Sequence, residues 1–103
     1  MSPRRRTVRL LGIAEDDLSE IIAHISADNL NAAAAFLEKV ETNLSLLESN
    51  PALGRIPREE DLARIGYRYL VIGNYLVFYT ISSDTVLSHR IIHGARDYLA
   101  LLH

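Results

Sequence analysis

Apolar positions change their spacing twice along the chain. Leu18, Ile21, Ile22 and Ile25 fall at i, i+3, i+4 and i+7, the one-sided stripe of an amphipathic helix beginning near Ala14. Glu15, Asp16 and Asp17 crowd its first turn, where the helix dipole favours anions. Asp28, Asn29 and Asn31, which prefer caps and turns, interrupt the stripe before a second one opens with Ala33, Leu37, Val40, Leu44 and Leu47. Asn50 precedes Pro51, a position that disfavours helical backbone, so the second helix ends near Ser49. Two antiparallel helices follow from this pattern.

Elsewhere the period is two. Thr7 to Leu11 reads as a first strand after an arginine-rich start, with residues 1–6 expected to be disordered. Pro51-Ala52-Leu53-Gly54 reads as a turn, and Arg55 to Ile65 as a solvated loop. Tyr67 to Ile72 and Tyr75 to Ile81 are strands joined by the hairpin signal Gly73-Asn74. Ser82-Ser83-Asp84 turns the chain into a last strand, Val86 to Ile92, and Arg96 to Leu102 is either a short helix or an extended tail. The expected fold is α+β: one domain over 1–103 in the order β-α-α-β-β-β, a helical hairpin packed on a small, mostly antiparallel sheet. Alternation puts Tyr75, Val77, Tyr79 and Ile81 on one side of the central strand and Leu76 and Phe78 on the other. Both sides are apolar, and two helices cover only one. The second side therefore needs either a partner or the chain's own C-terminal segment.

Composition narrows the chemistry. The chain has no cysteine, which removes thiolate nucleophiles and sulfur-ligated zinc sites and fits a cytoplasmic protein. No apolar run approaches the roughly 20 residues that cross a bilayer. Residues 10–61 carry eleven acids against Lys39, Arg55 and Arg58, and the net charge is -2, so direct nucleic-acid binding through many cations is disfavoured. His89 and His93 lie about 13 Å apart if both are on one strand, too far to share an ion, so neither a metal nor another cofactor is expected. No nucleophile elbow or phosphate-binding glycine loop is present. One cluster remains: Arg68, Arg90, His93, Arg96 and Asp97, gathered toward one end of the sheet. It reads either as an anion-facing patch or as structural pairing, with Arg68 on a helix acid, Arg90 covering apolar surface and Arg96 with Asp97 tying down the tail.

The segments Ala14-x-x-Asp17-Leu18-x-x-Ile21, Asn31-Ala32-Ala33 with Phe36, Pro51-x-x-Gly54-Arg55, Gly66-Tyr67-Arg68-x-Leu70-x-Ile72, Tyr75-x-Val77-x-Tyr79 and His93-Gly94-Ala95-Arg96-Asp97 resemble, in this order, the RelE/ParE superfamily of toxins from type II toxin–antitoxin modules. The resemblance implies a toxin neutralised in a hetero-oligomer by a cognate antitoxin, ParD-like or other. It leaves two activities open. RelE-like relatives are ribosome-dependent mRNA endonucleases, whereas ParE-like relatives poison DNA gyrase and cleave nothing themselves. Places that hold two lysines in RelE fall here on Tyr67 and Tyr69, an arginine place falls on Leu76 and the tyrosine place falls near Leu102; Arg96 alone matches a RelE cation. The ending, with Tyr98 after Arg96-Asp97, is similar to that of ParE. The resemblance thus implies a non-enzymatic gyrase inhibitor, with Arg68, Arg90, His93, Arg96, Asp97 and Tyr98 as activity candidates and Leu18, Ile22, Tyr75, Val77 and Tyr79 as antitoxin contacts. The alternatives are an mRNA interferase using His93 and Arg96, and a degenerate toxin kept as an antitoxin-binding module.

Overall fold

The computed structural model of the chain describes residues 5–101; residues 1–4, Leu102 and His103 lie outside it. The elements are β1 (Thr7–Leu10), α1 (Gly12–Asp28), α2 (Leu30–Leu47), a 3-10 turn (Pro51–Leu53), α3 (Glu60–Ile65), β2 (Arg68–Ile72), β3 (Tyr75–Ile81), β4 (Thr85–His93) and α4 (Gly94–Leu101). The strands form one sheet in the order β1-β4-β3-β2, with β1 parallel to β4 and the other pairs antiparallel. The architecture is α+β, as the spacing of apolar residues requires, with the tail a helix.

Local chemistry explains the boundaries. The Asn29 side chain accepts the Ala32 N–H at 3.0 Å and so caps α2 immediately after α1 ends. In the β2–β3 hairpin only Gly73 takes a positive φ, +59°, which places glycine first of the two central residues, the II′ pattern. The arm expected to be loose is held from Arg6 onward: its N–H donates to the Glu48 carbonyl at 2.8 Å and its Nε to the Ser82 carbonyl at 3.3 Å. The segment 55–65 is no plain loop. Arg55 exchanges two backbone hydrogen bonds with Tyr69, and α3 closes on Gly66 at φ +103°. Its six charged-rich residues are too few to show a stripe.

The helices pack on one face of the sheet, and Ile21, Phe36, Val40 and Leu47 meet Leu70, Ile72, Tyr75, Val77, Tyr79, Val86 and Ile91 there. Burying each such side chain contributes about 1.5–3 kcal/mol. A bulge in β4 decides who faces them. Phe78 pairs with Arg90 and Tyr79 with Ser88, so His89 is the extra residue. Alternation therefore flips at His89, which lets Val86 and Ser88 before it and Ile91 after it all face the core. On the other face Tyr98 of α4 stacks on Phe78 with ring centroids 5.8 Å apart, and Phe78 is fully buried. Tyr98 of the C-terminal segment thus covers the second apolar side at Phe78, while Val71 on that side stays exposed.

Candidate functional site

Three groups of side chains surround the sheet. At the corner after α2, the Tyr79 hydroxyl donates to the Pro51 carbonyl at 2.7 Å and accepts the Gly54 N–H at 2.8 Å. Burial pushes the Tyr79 phenol above its ordinary pKa, so it stays protonated and able to donate. A Cβ on residue 54 would stand 2.5 Å from that hydroxyl and 2.8 Å from the Tyr69 carbonyl, so only glycine fits. Arg68 reaches the same corner and donates to the Gly54 carbonyl at 3.1 Å, not to a helix acid. It lies on the edge strand farthest from β1, separated by β3 from Arg90 and His93 of β4. The five residues expected to cluster do not all meet.

Four of them do. β1 pairs with β4 only as far as Ser88, which leaves the outer edge of β4 without a neighbouring strand from His89 to His93. Two carboxylates take that place. Asp17 of α1 accepts the Ile91 N–H at 3.0 Å, and Asp97 of α4 accepts the His93 N–H at 3.2 Å. Each carboxylate also holds an arginine by two bonds: Arg90 donates to Asp17 at 2.8 and 3.1 Å, and Arg96 donates to Asp97 at 3.1 and 3.3 Å. Arg90 thus pairs with a helix acid instead of merely covering apolar surface. The pairing raises the pKa of both guanidiniums, and the Arg96 hydrogen bonds hold the Asp97 carboxyl below its ordinary value.

The same geometry explains the ending His93-Gly94-Ala95-Arg96-Asp97. His93 Nδ1 accepts the Arg96 N–H at 3.1 Å while Asp97 accepts the His93 N–H. This is a reciprocal cap at the start of α4, built with an imidazole where serine or threonine is usual. A cleft of about 470 Å³ runs along this edge, lined by Asp17, Glu20 and His24 of α1 and by Arg90, His93, Arg96 and Asp97. The Tyr75 ring stands edge-on to His93 at 5.3 Å at the cleft's base. Three carboxylates against two guanidiniums make this no cationic patch. Phosphate would meet repulsion as well as attraction there.

Tyr98, the remaining activity candidate, lies on the opposite face of the sheet. Its hydroxyl donates to Glu59, and burial followed by that carboxylate raises its pKa. Nearby, His89 bridges the Thr80 hydroxyl at 2.8 Å and the Tyr67 hydroxyl at 3.3 Å, and burial lowers its pKa. Tyr67 and Tyr69 lean on Phe78 with centroids 6.4 and 5.5 Å away. Among the described residues no group of three or more histidines and acids stands where it could hold a metal ion. No helix among them is long and apolar enough to cross a membrane.

The antitoxin contacts expected on the sheet need correction. Tyr75, Val77 and Tyr79 are buried, at 9%, 0% and 0% exposure, because the pleat turns them under α1 and α2. Leu18 and Ile22 are partly buried and pack on the same core. The three strand residues therefore offer no free surface, while Leu18 and Ile22 remain partly exposed. Sequence reasoning gave Asp17 only the role of a dipole partner in the first turn; α1 starts at Gly12, so of the three acids only Glu15 lies in that turn, and nothing in the sequence tells that β4 ends beside Asp17.

Over residues 8–98 the chain matches the family described as ParE toxin of type II toxin-antitoxin system, parDE. Among solved structures it resembles the chromosomal ParDE toxin–antitoxin system from P. aeruginosa, with a TM-score of 0.69 at 16% identity over 87% of this chain and 97% of that one. It also resembles the toxin–antitoxin complex RelBE2 from Mycobacterium tuberculosis, with a TM-score of 0.58 at 27% identity over 86% of this chain and 91% of that one. No curated protein matches it in sequence.

Proposed function

The chain belongs to the ParE toxin family of type II toxin–antitoxin systems, and from that premise we propose that it inhibits DNA gyrase without cleaving nucleic acid and is neutralised by a cognate antitoxin. One observation carries the choice of target. Where RelE-like nucleases resemble this chain but keep two lysines, Tyr67 and Tyr69 pack against Phe78, and the two arginines of the β4 edge are each neutralised by a carboxylate. Phosphoryl chemistry on RNA needs unpaired positive charge where the transition state becomes anionic, and losing one such group costs orders of magnitude in rate. A surface of paired charges suits a protein partner. The antitoxin partner accords with the ParDE and RelBE2 relatives, both of which are toxin–antitoxin complexes.

The test is supercoiling of relaxed plasmid by purified gyrase in the presence of the full chain. Inhibition with accumulation of cleaved plasmid is expected; unchanged supercoiling at molar excess overturns the reading. The likeness to RelBE2, together with Arg96 at a RelE cation place, favours an mRNA interferase as the second reading. Transcripts cut in a translating ribosome extract on adding the protein would establish that alternative instead.

A further inference from the structure

The edge of β4 carries one arrangement twice. At alternate residues, Ile91 and His93, an outward N–H is taken by a carboxylate, and that carboxylate grips the Nε and Nη2 of one arginine. In both cases Nη1 has no hydrogen-bond partner among the described residues, and both guanidiniums line the same cleft. The two acids are eighty residues apart in sequence, Asp17 on α1 and Asp97 on α4. Capping the strand edge calls for a polar oxygen at each place, and a neutral amide oxygen can also accept an N–H, whereas only a carboxylate can cap the edge and hold a guanidinium by two bonds. The Asp17 side chain is only 12% exposed and Arg90 is 37% exposed, so the charge is kept in a place where desolvation opposes it. A two-bond grip does what a single cap does not, since it fixes the plane of the guanidinium.

We infer that Asp17 is a positioning residue of the toxin surface: it neutralises and orients Arg90 as Asp97 does Arg96, so that both present Nη1 to carbonyl oxygens of a protein target and not to phosphate. The inference rests on the toxin acting through a protein contact at this cleft. Two neutralised guanidiniums donate hydrogen bonds with little net charge, so contact with the target is nearly independent of salt. Phosphate binding falls steeply with salt as counterions return.

The decisive variant is Asp17→Asn in the full chain. Its amide oxygen still accepts the Ile91 N–H, but its charge and the two-bond grip are gone. Three readouts are needed: the induction level that arrests growth, the melting curve, and retention of plasmid DNA across a potassium chloride series. Expected is a loss of potency of about tenfold or more, the scale of one charge-assisted contact, with the folded fraction unchanged and a new salt-sensitive retention of DNA. Asp17→Glu should recover part of the potency. Should Asp17→Asn fail to fold, Arg90→Gln, which leaves Asp17 on the strand edge, takes its place with the same loss of potency expected. Wild-type potency in the folded variant, or a loss that only tracks the unfolded fraction, overturns the inference. Growth arrest reads the surface whatever the target is, so a wild-type protein that arrests growth yet leaves gyrase untouched refutes the target and not the role of Asp17.

Discussion

The Pro51–Gly54 corner and the outer edge of β4 solve the same problem, a backbone with unsatisfied polar groups beside the sheet, in opposite ways. At the corner a neutral phenol buried in the core serves a donor and an acceptor at once, and glycine lets the backbone approach it. At the edge two ion pairs serve the backbone and remain partly wet. A neutral buried network gains strength from the low local dielectric and fails as a unit when one member goes. The more exposed Arg96–Asp97 pair contributes little to stability, and the outer donors of both guanidiniums face other molecules. The first region holds the fold and the second faces outward.

Substitutions separate the two. Gly54→Ala drives a methyl into the Tyr79 hydroxyl and the Tyr69 carbonyl; a loss of about 3 kcal/mol in urea unfolding is expected. Tyr79→Phe keeps the packing but strands the Pro51 carbonyl and the Gly54 N–H, so about 1–3 kcal/mol should be lost. A corner that tolerates both would erase the contrast. Arg96→Ala, on the edge, should barely move the melting midpoint yet abolish growth arrest; the reverse outcome would make the edge structural. Ser88→Ala removes a buried hydroxyl that has no hydrogen-bond partner among the described residues, and the variant should be as stable as the wild type or up to about 1 kcal/mol more stable.

The smallest effect is set by pH. Burial depresses the pKa of His89, so the unfolded chain takes up a proton on this residue more readily than the folded one. Its contribution is fully present above about pH 6.5, the ordinary histidine value, and is lost as pH falls below it. A melting series from pH 7.5 to 5 should decline for the wild type and be flatter for His89→Gln. Asp97 has its pKa lowered by Arg96, so its contribution holds down to about pH 4 and fades only beneath that, outside the His89 window.

The two long helices and all four strands were legible, because apolar spacing marks them, whereas α3 is too short to show a stripe. What stayed hidden was set by single residues or by long reach. One inserted residue, His89, exchanges the faces of β4, and alternation counted from either end then misplaces the other half. Both sides of β3 are apolar, so the sequence did not tell that Tyr75, Val77 and Tyr79 lie under the helices while Phe78 lies under α4. Arg68 and Arg90 were read with each other's kinds of partner: the helix acid belongs to Arg90 and the uncharged contacts to Arg68. A guanidinium on a long stem leaves no trace of its direction in a one-dimensional pattern.

The pairing of Thr7 with Thr85 joins residues seventy-eight positions apart, and it carries a consequence for synthesis. During translation β1 is made well before its partner, and it waits unpaired until β4 has left the ribosome. Closing so long a loop is slow compared with forming the helical hairpin. The newborn polypeptide therefore holds its helical hairpin before its sheet is complete, and the edge that bears Arg90 and Arg96 comes into being only once β4 has joined the sheet.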